Sequence, residues 1–168
     1  MAGPPTIIVM GVSGSGKTAV GRALAHRWGA SFVDADDLHP PENVERMAAG
    51  RALDDAARGP WLDAVADAIA RPRSGGGQLV VACSALRRRY RARLREAGPL
   101  QFVLLDAPES VVRERLAERT GHFMPASLLA DQLATLEHPG PDEPDAVIVD
   151  ASGPLPTVLE RVDAAVRS

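Results

Sequence analysis

The chain alternates between short apolar runs and longer amphipathic segments. Five of the runs are apolar at consecutive positions and are bounded by polar or glycine-containing turns. Consecutive rather than alternating apolar residues are typical of strands that a parallel sheet buries on both faces. The predicted strands cover residues 7–10, 31–33, 79–83, 102–105 and 146–149.

Helices are predicted between these strands, because apolar residues recur there at helical spacing. Val20, Leu24 and Trp28, for example, are spaced by four. The predicted helices cover residues 19–28, 41–49, 59–70, 87–97, 109–119, 126–136 and 154–166. The alternation predicts a doubly wound, three-layer α/β/α fold with a five-stranded parallel sheet, whose ligands bind beyond the carboxyl ends of the strands.

Composition indicates one globular domain. The 168 residues are 45% hydrophobic and 24% charged, enough for a sizeable core. The glycine-rich and proline-rich loops at 74–77 and 139–144 do not resemble domain boundaries, so we expect a single domain over residues 1–168. The net charge of −3 argues against a protein that coats nucleic acid.

The sequence also favours a cytoplasmic location. Cys83 is the single cysteine, which excludes an internal disulfide and is typical of a reducing cytosol. We find no secretory leader and no apolar run long enough to span a bilayer. We therefore expect no membrane partner.

A phosphate-binding loop follows the first predicted strand. Its residues match G-x-x-x-x-G-K-[ST] and are Gly11, Val12, Ser13, Gly14, Ser15, Gly16, Lys17 and Thr18. In such a loop, backbone N–H groups and the next helix's dipole surround a phosphate, lysine reaches its oxygens, and threonine can bind Mg²⁺. Lys17 is the only lysine among the 19 lysine and arginine residues of the chain. The one side-chain ammonium group therefore stands where a phosphate is expected, and every other position uses arginine. A turn that binds nothing is the alternative, but the strand–loop–helix context favours a nucleoside triphosphate.

Carboxylates follow the second predicted strand, at the edge where substrates bind. Asp34, Asp36 and Asp37 precede His39. They could bind substrate hydroxyls, hold the water shell of Mg²⁺, or accept a proton from an attacking alcohol. A solvated turn that caps the next helix is the alternative. The third strand ends without the aspartate that many such enzymes use for Mg²⁺, so that role falls to Thr18 with water, Asp34 or Asp36.

Arg58 is the first of two candidate anion-binding arginines. Pro60, two residues later, predicts a helix start, and we interpret Trp61 as part of the core. The Arg58 guanidinium could bind a substrate carboxylate or pair with Asp54 or Asp55 on the surface. The sequence leaves both possibilities open.

The most basic segment, residues 87–95, contains the second candidate. Leu86, Tyr90 and Leu94 recur at every fourth position, which predicts an amphipathic helix with a solvated basic face. Arg87, in its predicted first turn, is the best placed to reach a ligand. A nucleotide-dependent RNA-binding switch is an alternative use of this helix, although the chain has few aromatic residues for base stacking.

A lid is predicted over residues 115–137. Arg115 and Arg119 lie one turn apart before a glycine-containing loop. Closure of such a loop would exclude water and bring guanidinium groups to the phosphates. A helix that simply ends at Gly121 with basic residues in its last turn is the alternative.

Taken together, these segments resemble the bacterial gluconokinase family, which is related to shikimate kinase and the nucleoside monophosphate kinases. The resemblance runs from about Ile7 to Asp150. Its most specific segments are Cys83-Ser84-Ala85-Leu86 and Gly121-His122-Phe123-Met124-Pro125. Residues 36–40, 47–53, 58–62, 136–137 and 139–140 complete the match.

The resemblance implies phosphorylation of D-gluconate at its 6-hydroxyl with ATP and Mg²⁺, in an enzyme that could be a homodimer. The implied catalytic residues are Lys17, Asp36 and Arg119. The implied substrate contacts are Asp36, His39, Arg58, Arg87 and His122. ATP would lie on the phosphate loop and Arg115, and the metal on Thr18 and Asp34.

The chain departs from the family pattern at two places. Ala56 and Ala57 stand where relatives usually have acidic residues, which could loosen the orientation of Arg58. Asp131 and Leu133 replace a usual Ser and Phe and are expected to alter packing more than chemistry. A related kinase for another acceptor, such as shikimate, is an alternative that should lack the segment at 121–125.

Overall fold

The computed structural model describes residues 4–72, 77–118 and 128–167. Strands and helices alternate along these residues. The strands are β1 (Thr6–Met10), β2 (Ser31–Asp34), β3 (Leu79–Ala82), β4 (Leu100–Asp106) and β5 (Ala146–Asp150). The α-helices are α1 (Lys17–Trp28), α2 (Pro41–Ala48), α3 (Asp55–Ala70), α4 (Arg88–Arg95), α5 (Glu109–Glu118), α6 (Leu129–Thr135) and α7 (Leu155–Arg167), and a short 3₁₀ helix covers Ala35–Leu38.

The five strands form one parallel sheet in the order β2-β3-β1-β4-β5. The central strand β1 is buried along its whole length. Its side chains alternate between the two faces, as the period of a strand requires. Ile8 and Met10 pack against α3 and α4, whereas Ile7 and Val9 pack against α1 and α7. The predicted three-layer α/β/α fold is confirmed.

The carboxyl edge of the sheet is covered by a third, smaller apolar cluster. Val12 of the phosphate loop packs there with Leu86, Val112 and Leu116, and with Leu129 of α6. This cluster packs the loop against α5 and α6, which lie at the two ends of the predicted lid. The centre of that lid, residues 119–127, lies outside the described residues, so the lid stays a prediction. Within residues 4–72, 77–118 and 128–167, every helix is too short or too polar to cross a bilayer.

The predicted start of the third helix is wrong. Helix α3 begins at Asp55, not near Pro60, because the Asp54 carboxylate accepts the backbone N–H of Ala57 at 2.8 Å. An aspartate in this position satisfies an N–H that has no partner inside the helix. Pro60 therefore lies inside α3, where it removes one backbone hydrogen bond. Arg58 is consequently fixed within a helical turn rather than in a preceding loop.

The basic helix also differs from its prediction. Helix α4 begins at Arg88, and Arg87 precedes it in an extended conformation. The expected solvated face is wrong for Arg91, whose side chain is completely buried. A helical apolar period identifies the buried face only when that face is apolar, and here it also contains a guanidinium.

The buried Arg91 holds several segments of the chain together. Its Nε and Nη2 donate to the two carboxylate oxygens of Glu143 at 2.7 and 2.6 Å. Nη1 donates to the carbonyl oxygens of Ala85 and Leu86 at 2.9 and 3.3 Å, and Nη2 to that of Glu137 at 2.9 Å. The hydrogen bonds from Arg91, and then those from Arg95, lower the pKa of Glu143 to about 2. The pair therefore stays ionised at neutral pH.

Replacing Arg91 with methionine should destabilise the protein strongly. Loss of one partner from a buried ion pair costs about 3 kcal/mol, or roughly 6–12 °C in melting temperature for a chain of this size. We expect the lower part of the known range, because Arg95 also contacts Glu143 at 2.7 Å. The measurement is thermal unfolding followed by circular dichroism.

The matched control is Arg93→Met on the same helix. Arg93 pairs with Asp63 at 3.0 Å on the surface, so its loss should cost less than about 1 kcal/mol. Equal melting temperatures for the two variants would contradict the structural role of Arg91.

Candidate active site

The phosphate loop between β1 and α1 has the backbone of an anion site. Gly11, Gly14 and Gly16 have positive φ angles of 147°, 86° and 102°. A Cβ on Gly11 would lie 2.8 Å from Ser15 Oγ, and one on Gly14 would lie 2.8 Å from Leu116 Cγ. Side chains are therefore excluded at these two positions, and the loop can turn its N–H groups inward at the N-terminus of α1.

Two side chains contact the loop from within the cleft. Lys17 Nζ donates to the carbonyl oxygen of Val12 at 3.0 Å. The N–H of Ser13 donates to Gln132 Oε1 of α6 at 2.6 Å. The sequence does not single out Gln132, because a polar residue on an amphipathic helix has no signal of its own. The contact joins α6, which belongs to the predicted lid, to the phosphate loop.

The acidic turn lies directly beside the loop. Thr18 Oγ1 donates to Asp34 Oδ2 at 2.8 Å, and Asp34 Oδ1 accepts the N–H of Asp36 at 3.0 Å. Asp34 is in register with Ala82 on β3. Strand β3 ends without the aspartate that many such enzymes use for Mg²⁺. The Asp34 carboxylate lies at the same height of the sheet, at the end of the neighbouring strand β2.

These oxygen donors fit Mg²⁺. No group of three or more His, Cys, Asp or Glu side chains within the described ranges is arranged to hold a metal by itself. Mg²⁺ usually needs only one or two protein carboxylates, because water and substrate phosphates complete its shell. Thr18 and Asp34 could supply that contribution.

His39 is held in a defined orientation. Its ring stacks on Trp61 with 4.4 Å between centroids, and Trp61 Nε1 donates to the carbonyl oxygen of Ala35 at 2.7 Å. Asn43 Nδ2 lies 2.9 Å from the carbonyl oxygen of Ala57 and 3.3 Å from His39 Nδ1. The bond to the Ala57 carbonyl assigns Nδ2 as the donor, so His39 Nδ1 accepts and its Nε2 carries the proton.

The charge of His39 follows from its surroundings. Burial lowers the pKa of His39 to about 4, the nearby Asp36 opposes this shift, and Arg58 adds to it. The ring is therefore neutral at neutral pH, with one N–H to donate. This makes His39 a hydrogen-bond donor for a hydroxyl or carboxylate rather than a cation.

Arg58 and Arg87 both line the cleft. Arg58 Nη1 donates to the hydroxyl of Tyr90 at 3.0 Å. Arg87 lies two residues after Ala85, which is buried and has a φ of 43°, a left-handed conformation that is unusual for a residue other than glycine. Among the described residues, the buried Nε of Arg87 finds no hydrogen-bond acceptor. An N–H without an acceptor is unusual in a protein interior, and it suits a group that binds an anion.

Arg115 lies on the far side of the phosphate loop. Its Nη1 donates to the carbonyl oxygen of Ser15 at 3.1 Å. Its Nη2 donates to those of Ala151 and Gly153 at 2.7 and 3.1 Å. It is not among the residues that line the main cleft. Arg119 and His122 lie outside the described residues, so their predicted roles stay predictions.

The cleft has a volume of about 250 Å³. The predicted site residues that line it are Ser13, Gly14, Gly16, Lys17, Thr18, Asp36, His39, Arg58 and Arg87. Tyr90 and Gln132 also line it, although the sequence analysis predicts no binding role for either residue. The cleft therefore combines a phosphate loop with two arginines and with two side chains that can bind a hydroxyl, the Asp36 carboxylate and the His39 ring.

The neutral His39 gives a pH prediction. The folded pKa of about 4 lies below the ordinary value of 6.5, so the folded state binds fewer protons than the unfolded state between these values. The contribution of His39 to stability should be complete above about pH 6.5 and should decrease as the pH falls toward 4. An NMR titration should give a ring midpoint near 4, with His39→Gln used to assign the resonance. A midpoint near 6.5 would contradict the buried, neutral ring.

Comparison with known proteins agrees with this geometry. A family model described as an AAA domain matches residues 7–139. A gluconokinase of Gluconobacter oxydans (strain 621H) is 51% identical over 142 residues, which cover 84% of this chain and 80% of that protein.

Solved structures with a similar fold also include a gluconokinase. The crystal structure of a gluconokinase from Sinorhizobium meliloti 1021 superimposes with a TM-score of 0.87 at 47% identity, covering 99% of this chain and 94% of that one. The shikimate kinase from Aquifex aeolicus vf5 covers 96% of each chain with a TM-score of 0.61 at 17% identity, which indicates a shared fold alone. With the phosphate loop, the cleft and these identities in agreement, the chain belongs to the gluconokinase family of P-loop kinases.

Proposed function

We propose that this protein transfers the terminal phosphoryl group of ATP to the 6-hydroxyl of D-gluconate, giving 6-phospho-D-gluconate and ADP. The observation that supports this most directly is the composition of one cleft. It places a phosphate loop beside carboxylates, a neutral histidine and two arginines. An anionic polyol needs hydroxyl-binding groups and cationic groups together, and a phosphoryl donor needs the loop. The high identity to gluconokinases supports the same acceptor.

On the donor side, the loop residues bind the phosphates of ATP, and Lys17 reaches their β- and γ-oxygens. Thr18 and Asp34 are proposed to hold Mg²⁺, which would neutralise charge on the phosphates when bound. Arg115 is proposed to contact the nucleotide from the other side of the loop, since its guanidinium already lies against the Ser15 and Gly153 carbonyls.

On the acceptor side, Asp36 is the proposed base and His39 a hydroxyl ligand. Both oxygens of Asp34 already accept hydrogen bonds, from Thr18 and from the N–H of Asp36. Asp36, in contrast, lines the cleft. This division favours Asp34 for the metal and Asp36 for orienting the 6-hydroxyl and accepting its proton. Because phosphoryl transfer has a loose transition state, positioning contributes more than proton removal.

Arg58 and Arg87 are the proposed ligands of the gluconate carboxylate. Both arginines line the cleft, and among the described residues the buried Nε of Arg87 has no hydrogen-bond acceptor. Arg119 and His122 are proposed, from the family resemblance alone, to complete the lid and the acceptor site. A homodimer and a cytoplasmic location also stay predictions.

The RNA-binding alternative is not favoured by the charges on α4. Its arginines pair with nearby carboxylates: Arg88 with Asp142, Arg89 with Asp55, Arg91 with Glu143, Arg93 with Asp63, and Arg95 with Asp145. A helix neutralised in this way offers little positive potential to a polyanion. The shikimate alternative is supported only at the level of the fold.

A coupled ADP-release assay tests the acceptor. We expect turnover with ATP and gluconate that stops when EDTA removes Mg²⁺, and far lower kcat/KM with shikimate or nucleoside monophosphates. Turnover with gluconate no better than with the other acceptors would refute the proposal.

Lys17→Arg tests the phosphate site. The planar guanidinium cannot follow the phosphates as a flexible ammonium does, so we expect kcat to fall roughly 100- to 1000-fold. The melting temperature should stay within a few degrees of wild type, because the hydrogen bond from Lys17 Nζ to the Val12 carbonyl stays within its own loop. Arg93→Lys is the reverse exchange on the surface and should leave kcat unchanged. Near-normal kcat in Lys17→Arg would remove Lys17 from the catalytic residues.

A further inference from the structure

Arg58 belongs to a chain of hydrogen bonds that leads out of the cleft. Its Nη1 donates to Tyr90 Oη at 3.0 Å, and Tyr90 Oη lies 2.6 Å from Asp55 Oδ1. The Arg58 guanidinium also lies over the Tyr90 ring, with 5.3 Å between its Cζ and the ring centroid. Arg89 pairs with the other oxygen of Asp55. Tyr90 is the only tyrosine in the chain and is 4% exposed.

The direction of these hydrogen bonds is fixed by chemistry. The hydrogen bond from Tyr90, followed by that from Arg89, lowers the pKa of Asp55, so its carboxylate only accepts. Burial, and then the bond to Asp55, raises the pKa of Tyr90, so its hydroxyl keeps its proton. That single proton goes to Asp55, and the oxygen of Tyr90 is left to accept from Arg58.

This arrangement restricts Arg58 in two ways. The tyrosine ring supports the plane of the guanidinium, and the hydroxyl fixes one of its edges. Within the part of the chain that is described, the Arg58 side chain donates its hydrogen bond to Tyr90. The other N–H groups of the guanidinium are then held in one orientation at the cleft, where a carboxylate could accept two hydrogen bonds from them.

The neighbours of Arg58 in sequence do not supply this orientation. Ala56 and Ala57 have no polar side chain, and Ala57 instead packs against the cluster of Met47, Leu53 and Leu128. The acidic group that orients Arg58 is one turn earlier on α3, at Asp55, and it acts through a residue of α4. The expected loosening of Arg58 is therefore compensated from a second helix.

We propose that Tyr90 and Asp55 are positioning residues that preorganise Arg58 for the carboxylate of the acceptor. The inference rests on the proposed role of Arg58 in gluconate binding. Tyr90 itself is neither a proton donor to the substrate nor a base, because its one proton is committed to Asp55. Its effect on the reaction passes through the orientation of the guanidinium.

Steady-state kinetics of Tyr90→Phe test this. The variant keeps the ring and its contact with Arg58 but removes the acceptor oxygen. We expect KM for gluconate to rise roughly 5- to 20-fold, as for loss of a hydrogen bond to a charged group, with kcat within about twofold and KM for ATP unchanged. A general structural defect would instead change all three parameters. Asp55→Asn should give a smaller rise, because its amide oxygen can still accept from Tyr90.

A double-mutant cycle with Arg58→Ala separates the possible outcomes. If Tyr90 acts through Arg58, adding Tyr90→Phe to Arg58→Ala should cause no further rise in KM. Arg93→Ala, which removes another contact between α4 and α3, is the matched control and should leave KM for gluconate unchanged. An unchanged KM in Arg58→Ala would refute the proposed role of Arg58 in binding the acceptor. A raised KM in Arg58→Ala with wild-type kinetics in Tyr90→Phe, or equal effects of Tyr90→Phe in both backgrounds, would refute the positioning role alone.

Discussion

The acceptor side of the cleft depends on the buried ion pair between Arg91 and Glu143. Arg91 donates to carbonyl oxygens in the segment after β3, at Ala85 and Leu86, and to that of Glu137 after α6. Glu143 belongs to the loop before β5. Two connections, the one after β3 and the one between α6 and β5, are thus fixed to one guanidinium. Ala85 is held there at a φ of 43°, an orientation that costs a non-glycine residue about 1 kcal/mol or more. The ion pair offsets that strain and so fixes the backbone that carries Arg87.

The same network separates two uses of positive charge. On the outer part of α4, arginines are neutralised by nearby carboxylates such as Asp63 and Asp142. In the cleft, Lys17, Arg58 and Arg87 face the space that a ligand would fill. A protein with a net charge of −3 can in this way present a local positive potential to an anion. The density of arginine along the sequence therefore does not predict where anions bind. An arginine is available to an anion only where no nearby carboxylate already neutralises it.

The sequence predicted the sheet because each strand is a run of consecutive apolar residues, and the phosphate loop because its spacing is set by the phosphate it surrounds. It failed where a residue has two functions. Tyr90 belongs to the apolar stripe of its helix. The helical spacing therefore predicts a packing role for Tyr90 and does not reveal that its hydroxyl contacts Arg58. For Arg91 the sequence predicts a solvated side chain, because the buried Glu143 that pairs with it is 52 residues away. Asp54 is one of the two surface partners predicted for Arg58, although it caps α3. The failures at Tyr90 and Arg91 concern polar contacts between elements distant in sequence, about which local periodicity contains no information. The failure at Asp54 is local, because the cap lies only three residues before the N–H that it accepts.

The division between arginine and lysine in this chain follows from the mobility of their partners. Arg91 and Arg115 donate to carbonyl and carboxylate oxygens that the fold holds in place. A planar fork with fixed directions is suited to such static acceptors, because little freedom is lost for each bond that forms. A transferred phosphoryl group moves between two oxygens during the reaction, and its contacts must move with it. A compact ammonium on a flexible stem can do so, and Lys17 already reaches back to the Val12 carbonyl at 3.0 Å within its own loop. The single lysine of the chain therefore stands in the phosphate loop, at a position where a charge is expected to follow a moving partner.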